Sequence, residues 1–170
     1  GDTAVDATDL SGVTLIENFV VNGTTKAGGV TIADGNVADG KTLHIDGSSL
    51  TTGVLTAVLT ADSNGINTVT GGGAADLITG SASDLGDTLN GGAGNDTFTF
   101  ATANLTSLDT IAGGTGTDIL TFSDAETVVD ADFTNVTSVE TYDSFAGAST
   151  ITLGPLATAA GIVSLLTGGT

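Results

Sequence analysis

Three glycine-rich segments of this sequence place an aspartate and a large apolar residue at a fixed spacing. Residues 91–99 and 113–121 follow the pattern Gly-Gly-x-Gly-x-Asp-x-U-x, where U is a large apolar residue, and residues 71–79 depart from it once, at Ala74. Glycine allows positive φ and close backbone approach, so such a turn can direct main-chain carbonyls inward while the aspartate adds a carboxylate. Ca²⁺ takes about 6–8 oxygen ligands, which two stacked turns can supply and one cannot. The spacing therefore predicts calcium binding between stacked turns, coupled to folding.

The elements that must stack these turns are visible as internal repeats. Residues 87–100 align with residues 109–122 without a gap, and residues 67–79 form a third copy that starts 20 residues before the first. A looser copy with a two-residue insertion spans residues 80–90. A unit of about 20 residues cannot bury a core alone, but each stacked unit covers the apolar face of the next. The repeats thus predict a solenoid of short parallel strands.

Outside the repeats, alternation of apolar and polar residues predicts further strands, and Asn-Gly or Asp-Gly pairs predict turns. The alternating segments are residues 13–16, 30–32, 43–45 and 150–153. The turn pairs begin at Asn22, Asp34 and Asp46. One short helix is predicted over residues 156–161, directly after Pro155, because proline is compatible with a helix N-terminus.

The composition is acidic, but it is not that of a disordered chain. There are 20 acidic residues and two basic ones, Lys26 and Lys41, which gives a formal net charge of −18, yet 39% of the residues are hydrophobic. These apolar residues can form a core, which a disordered acidic tail could not. Bound divalent cations would relieve the self-repulsion of the folded chain. Nucleic acid is excluded as a partner because there is no basic footprint.

Sequence features that are absent limit the cellular locations expected for the chain. No stretch approaches the roughly 20 apolar residues of a membrane span, so a membrane-spanning protein is not expected. Cys, Met and Trp are absent, which fits an oxidising extracellular location and means that disulfides do not stabilise the fold. The chain shows no signal peptide and does not begin with Met, so a fragment or processed piece is expected.

A longer repeat surrounds the glycine-rich turns. Residues 9–17 match residues 132–140 at an offset of 123, sharing an aspartate, Val-Thr, two apolar positions and a glutamate. Residues 168–170 and 1–3 look like two halves of one glycine-rich turn. We expect from these matches that the module belongs to a longer tandem array. Chance similarity in a Gly- and Thr-rich sequence is the alternative.

The three nonapeptides resemble the RTX (repeats-in-toxin) calcium-binding nonapeptide, the β-roll motif of proteins exported by bacterial type I secretion. The resemblance covers residues 67–122. It implies an all-β, right-handed parallel β-helix in a single module of residues 1–170. Its β-roll section would span residues 67–122, with β-helix coils flanking it at 1–66 and 123–170. It also implies export of an unfolded chain, which then folds outside the cell at millimolar calcium.

The resemblance also implies a set of Ca²⁺ ligands. Carboxylates would come from Asp76, Asp96 and Asp118 on one side of the solenoid, and from Asp87 and Asp109 at the opposite turn. Main-chain carbonyls would come from Gly71, Gly73, Gly91, Ala93, Gly113 and Thr115. The alternative for the aspartates is an Asx-turn that caps its own backbone. The site nearest Asp76 departs from the family pattern, because Ala74 stands where the motif has its third glycine.

Other polar and aromatic residues have simpler interpretations. His44, the only histidine, alternates with Leu43 and Ile45 and is expected to face solvent. Asp34, Asp46 and Asp62 are interpreted as plain turn residues. Glu17 and Glu140 are expected on a solvated strand face, with calcium ligation as the alternative. Phe98, Phe100 and Phe122 are expected to stack in the core.

The sequence favours a non-catalytic, calcium-dependent structural module of a secreted surface layer, fibre or matrix protein. Serine hydrolysis is not expected, because the isolated histidine lacks a nucleophile elbow. The segments at 136–140 and 149–154 resemble tracts of RTX-type surface-layer proteins and very large adhesins. Alternatives are an extender or ligand-binding repeat of such an adhesin, or an accessory module of a secreted enzyme. Expected partners are further copies bound end to end, with a cell-surface glycan as a further candidate.

Overall fold

The computed structural model describes residues 4–5, 10, 12–124, 127–144 and 150–167. Nearly every strand pairs in parallel with the strand one coil away, which makes two stacked ladders. The first sheet contains β1 (Ala4–Val5), β3 (Gly28–Thr31), β5 (Leu55–Val58), β7 (Leu77–Thr79), β9 (Thr97–Phe100), β11 (Ile119–Phe122), β14 (Thr141–Ser144) and β16 (Ser164–Thr167). The second contains β2 (Asn18–Val20), β4 (Thr42–Asp46), β6 (Ile66–Thr70), β8 (Thr88–Ala93), β10 (Thr110–Thr115) and β13 (Val136–Thr137). A third, small sheet pairs β12 (Thr127–Val128) with β15 (Thr150–Ile151).

This arrangement confirms the all-β parallel solenoid. The register reproduces the internal repeats, because Ile78 pairs with Phe98 and Phe98 pairs with Leu120, which occupy the same position in successive copies of the nonapeptide. The chain adds one strand to the first sheet in each coil, and the described residues contribute eight strands to that sheet. At the strand spacing of about 4.8 Å, eight strands extend over roughly 35–40 Å.

The core lies between the two sheets. In each sheet, the buried residues that pair with one another on successive strands form a column. In the first sheet the column consists of Val30, Ala57, Ile78, Phe98, Leu120 and Tyr142, all buried. The second sheet contributes Ile45, Val69, Leu89, Ile111 and Val136. Since alternate strand residues face one side, these columns account for the apolar alternation in the sequence.

The predicted core aromatics are confirmed. Phe98, Phe100 and Phe122 are each at most 3% exposed. Phe100 occupies the space above Gly80, where an added Cβ would overlap its ring. The ring of Tyr142 packs 5.9 Å from that of Phe122. The aromatic stack therefore depends on a glycine one coil away.

Two strand predictions are corrected. Residues 13–16 are not a strand, because Leu15 has φ of 60° and the side chain of Asn36 donates to the carbonyls of Leu10 and Val13. These contacts hold the segment outside any strand, and β2 begins only at Asn18. In the segment 150–153 only residues 150–151 form a strand.

The predicted helix is present as α1, Pro155–Ala160. It ends at Gly161, whose φ of 106° is the left-handed conformation that glycine adopts readily. Asp130, from the preceding coil, accepts hydrogen bonds from the N–H groups of Gly154 and Ala157 at 2.8 and 2.9 Å. The helix therefore takes its N-terminal cap from a neighbouring coil. No helix in the described ranges is long and apolar enough to cross a membrane.

The 123-residue repeat has a structural counterpart, although Asp9 and the paired ends 1–3 and 168–170 lie outside the described residues. Leu15 and Ser138, at equivalent positions of the repeat, have φ of 60° and 52°, and no other described non-glycine residue has positive φ. The following strands belong to different sheets, however, since β2 lies in the second sheet and β14 in the first. The same local turn is thus used at opposite corners of the solenoid.

The core column predicts a strong contrast between two leucines. Leu120 is fully buried, whereas Leu108 is 62% exposed. We expect Leu120→Ala to lower the free energy of unfolding of the calcium-loaded protein by about 2–5 kcal/mol, because it leaves a cavity. Leu108→Ala should change it by less than about 0.5 kcal/mol. Urea unfolding followed by circular dichroism measures both, and equal effects would contradict the assigned register.

Candidate metal centre

The residues just before four consecutive first-sheet strands, β7, β9, β11 and β14, form a column of acids along one corner of the solenoid. It comprises Asp76, Asp96, Asp118 and Glu140, which we call the acid ladder. Its three aspartates are fully buried. The sequence places them there because each glycine-rich turn ends one residue before a strand, at a fixed distance from the apolar residue that enters the core.

Each carboxylate in the acid ladder accepts the main-chain N–H of the residue one coil earlier. Asp76 Oδ1 accepts a hydrogen bond from Leu55 N at 2.6 Å. In the same way, Asp96 Oδ1 accepts a hydrogen bond from Asp76 N, and Asp118 Oδ1 accepts one from Asp96 N, both at 2.7 Å. Glu140 Oε2 accepts Asp118 N at 2.9 Å. The ladder thus satisfies the main-chain donors at a corner where the sheet has no carbonyl to offer.

The second oxygen of two ladder carboxylates has no such partner. Asp96 Oδ2 and Asp118 Oδ2 are buried without a hydrogen bond. Burial raises the pKa of Asp96 to about 6, and the neighbouring charges of Asp76 and Asp118 contribute to the rise. Burial likewise raises the pKa of Asp118. A buried, unpaired carboxylate oxygen is unfavourable, so each of these oxygens requires a proton or a cation.

Main-chain carbonyls meet these carboxylates above the first glycine of each motif. A Cβ added to Gly91 would overlap Asp96 Oδ2 and would lie 2.7 Å from the carbonyl oxygen of Gly113. A Cβ added to Gly71 would overlap both Asp76 Oδ2 and the carbonyl oxygen of Gly91. A carboxylate of one coil and a carbonyl of the next therefore face one point, which only glycine leaves open. Such an all-oxygen set suits a hard cation such as Ca²⁺.

The predicted carbonyl ligands at the third motif position lie farther out. Gly73 and Thr115 are exposed and Ala93 is half-buried. The carbonyl of Thr115 accepts a hydrogen bond from Gly94 N at 2.9 Å. In the part of the chain that is described, no three His, Asp or Glu side chains form a metal-binding group. An ion at this corner must therefore draw on main-chain oxygens.

The turn with Ala74 differs from the two complete motifs. In those motifs Gly94 and Gly116 have φ of 122° and 145°, values that alanine rarely adopts. In the turn with Ala74, Gly72 N donates instead to Asp76 Oδ2 at 2.6 Å. Both oxygens of Asp76 thus accept hydrogen bonds from N–H groups, so this carboxylate has no unpartnered oxygen for an ion.

The opposite corner holds Asp87 and Asp109 in one column with Asn67, as the repeat offset indicated. Asp87 accepts Asn67 N and Ser81 N at 3.1 and 3.0 Å. Asp109 accepts Asp87 N and Thr106 N, both at 2.7 Å. The unpartnered buried atom in this column is a neutral amide oxygen, Asn67 Oδ1. Backbone capping is therefore sufficient to explain these two aspartates, and their role as ligands stays a prediction.

Sequence reasoning underestimated Glu140. It is half-buried at the end of the acid ladder and does not lie on a solvated strand face, whereas Glu17 and His44 are exposed as expected. The available signal was its position directly before a strand, at the same offset from Asp118 that separates Asp118 from Asp96. Asp46 accepts a hydrogen bond from Ser48 N in its own turn, as expected, whereas Asp34 accepts one from Ser63 N, 29 residues away. Asp62 also caps its own turn at Gly65 N, but it is fully buried and binds Asn67 as well.

Comparison with known protein families identifies the same part of the chain. The family model of the RTX calcium-binding nonapeptide repeat (4 copies) matches residues 62–98 and 108–123. Searches of curated proteins and of solved structures found no match. The matched residues include Asp76, Asp96 and Asp118 together with the first glycine of each motif.

Asp96→Asn should have opposite effects with and without calcium. Without calcium it removes a buried unpaired charge, so the free energy of unfolding should rise by about 1–3 kcal/mol. With calcium it removes a charged ligand, so the stabilisation produced by the ion should fall. Asp84→Asn is the matched control, because Asp84 is exposed in the same section of the chain. Urea midpoints in chelator and in calcium measure both effects. A variant that is destabilised equally in the two buffers would contradict the ligand role.

The raised pKa values predict how stability depends on pH. In calcium-free buffer Asp96 binds more protons in the folded chain than in the unfolded chain between the ordinary pKa of 3.8 and its folded pKa of about 6. The free energy of unfolding should therefore fall as pH rises through this window. The gain from calcium should increase over the same window, since bound carboxylates must be ionised.

Urea midpoints at pH about 4.5 and about 7, below and above the Asp96 pKa of about 6, provide the measurement. Calcium is removed with a chelating resin for one set and restored for the other. A calcium-free midpoint that rises with pH would show that the ladder is ionised at no penalty.

Proposed function

We propose that this chain, whose residues 62–98 and 108–123 are RTX calcium-binding nonapeptide repeats, is a structural module of a secreted surface layer, fibre or matrix protein. It folds outside the cell when it binds Ca²⁺ and then assembles with further copies. The observation that carries this proposal is the pair of buried, unpartnered oxygens, Asp96 Oδ2 and Asp118 Oδ2. They lie inside a chain of net charge −18.

Calcium-coupled folding follows from how the ladder is built. Each opening above a first glycine takes its carboxylate from one coil and its carbonyl from the next, as at Gly91 with Asp96 and Gly113. An unstacked chain has no such opening, so binding free energy becomes folding free energy. Cytosolic calcium is too low to fill weak sites of this kind, whereas extracellular modules operate at about 10⁻⁴–10⁻³ M. RTX repeat proteins are typically secreted, which supports an extracellular location.

Self-association is supported by β16, which lies at the edge of the first sheet among the described strands. In β16, Leu165 pairs with the fully buried Tyr142 and so continues the core column, yet Leu165 is 45% exposed. Its neighbours Val163 and Leu166 are 85% and 48% exposed. An apolar strand edge of this kind is a template for another strand. A second copy that adds a coil in the same parallel register is the occupant we propose.

We also propose that the chain does no catalysis. Its only histidine, His44, is exposed on β4, and the buried carboxylates serve as caps between coils. The adhesin-extender alternative draws on the same features, since a parallel ladder that keeps its register can be extended within one chain. The two proposals differ in whether separate copies associate.

The test is a calcium titration followed by circular dichroism and light scattering on one sample. We expect β-structure and large particles to appear together as calcium rises from chelator to millimolar concentration. Folding with a persistent monomer would favour the extender. A chain that is fully folded in chelator and unchanged by calcium would refute the calcium-dependent role.

A charged substitution at the strand edge should separate assembly from folding. Leu165→Lys places a cation on β16, where it should block docking of a second copy while the remaining coils still fold. Leu108→Lys is the control, because Leu108 is 62% exposed away from this edge. In calcium the first variant should stay monomeric and the second should assemble like the parent. Assembly that is equally strong in both would place the contact elsewhere.

A further inference from the structure

We propose a further Ca²⁺ site that extends past the last nonapeptide, formed by Asp118 of that nonapeptide, the main-chain carbonyl of Ser138 and the carboxylate of Glu140. Ser138 and Glu140 lie outside the residues that match the RTX repeat. The inference rests on the proposed calcium-dependent function and extends it to the turn at residues 137–140. It adds an ion to a coil that carries no glycine-rich motif.

The register places Ser138 where a first glycine would stand. Ala112 pairs with Thr137, so Ser138 is the counterpart of Gly113 one coil later. A Cβ added to Gly113 would overlap the carbonyl oxygen of Ser138 and would lie 2.5 Å from Asp118 Oδ2. Gly91 has the same relation to Gly113 O and Asp96 Oδ2. The Ser138 carbonyl thus takes the place of a glycine carbonyl in an otherwise repeated arrangement.

An unsatisfied side chain points into this opening. Asp118 is fully buried, and its Oδ2 has no hydrogen-bond partner. Its Oδ1 is already used by Asp96 N at 2.7 Å. The remaining oxygen needs a positive charge or a proton.

The backbone of Ser138 is consistent with a specific task for its carbonyl. Its φ of 52° lies in the left-handed region, which is a strained conformation for a non-glycine residue. The turn is also short, since Ser138 is followed by Glu140 after one residue, whereas four residues separate Gly113 from Asp118. A glutamate, one methylene longer than aspartate, still reaches Asp118 N at 2.9 Å. Glu140 therefore brings a second carboxylate to the same corner.

The decisive variant is Glu140→Gln. The amide can still accept the hydrogen bond from Asp118 N, so the ladder is retained while one charged ligand is lost. The matched control is Glu17→Gln, the equivalent position of the 123-residue repeat, where the side chain is exposed. Isothermal titration of the full chain with Ca²⁺ counts ions and ranks their affinities. Circular dichroism at saturating calcium verifies folding.

We expect Glu140→Gln to bind one ion fewer than the parent, while Glu17→Gln binds the same number with the same affinities. Unchanged ion number and affinity in Glu140→Gln would overturn the further site and leave the nonapeptide sites standing. A parent chain that binds no Ca²⁺ would overturn the proposed function itself. If Glu140→Gln does not fold, Glu140→Asp decides. With the charge kept but the reach shortened, it should weaken a single ion, and an isotherm identical to that of the parent would refute the site.

Discussion

Buried negative charge is the constraint on which this fold depends. Three aspartates are fully buried along one corner, and each must satisfy two oxygens in a site that excludes water. One oxygen of each is bound by the N–H of the preceding coil, which requires adjacent coils to be in strict parallel register. The other is left for an ion, except at Asp76, where Gly72 N occupies it. Because both requirements involve two coils, no coil can be stable alone.

The coils that carry the acid ladder are shorter than the coil between Val30 and Ala57. Where the ladder is complete, the successive core partners are Ile78, Phe98 and Leu120, so each coil is little longer than the nonapeptide unit and one return loop. Before the ladder begins, Val30 and Ala57 are core partners, and the coil between them is visibly longer. There the ladder position holds no acid, and so there is no carboxylate to align.

The sequence predicted the features that repeat and missed those that occur once. The nonapeptide offset was sufficient to predict parallel stacking, the coil length and the buried aspartates, because each copy confirms the others. The segment 13–16 alternates like a strand, but the Asn36 side chain, which is distant in the sequence, holds it outside any strand. Glu140 was misjudged because its turn lacks the glycines that make the motif recognisable. Single contacts between coils leave no periodic signal in one sequence.

The acid ladder also has a direction, and its two ends differ. At one end Leu55 donates an N–H but has no acid of its own, and at the other Glu140 accepts one from Asp118. At each interface between coils, one main-chain N–H donates to one of the two oxygens of a carboxylate. The other oxygen of that carboxylate can therefore be left without a hydrogen bond. Asp96 Oδ2 lies near the carbonyl oxygen of Gly113, which belongs to a complete motif. Asp118 Oδ2 lies near the carbonyl oxygen of Ser138, which does not. If ions bound only between two complete motifs, the interface after Asp118 would keep a buried, uncompensated charge on Asp118.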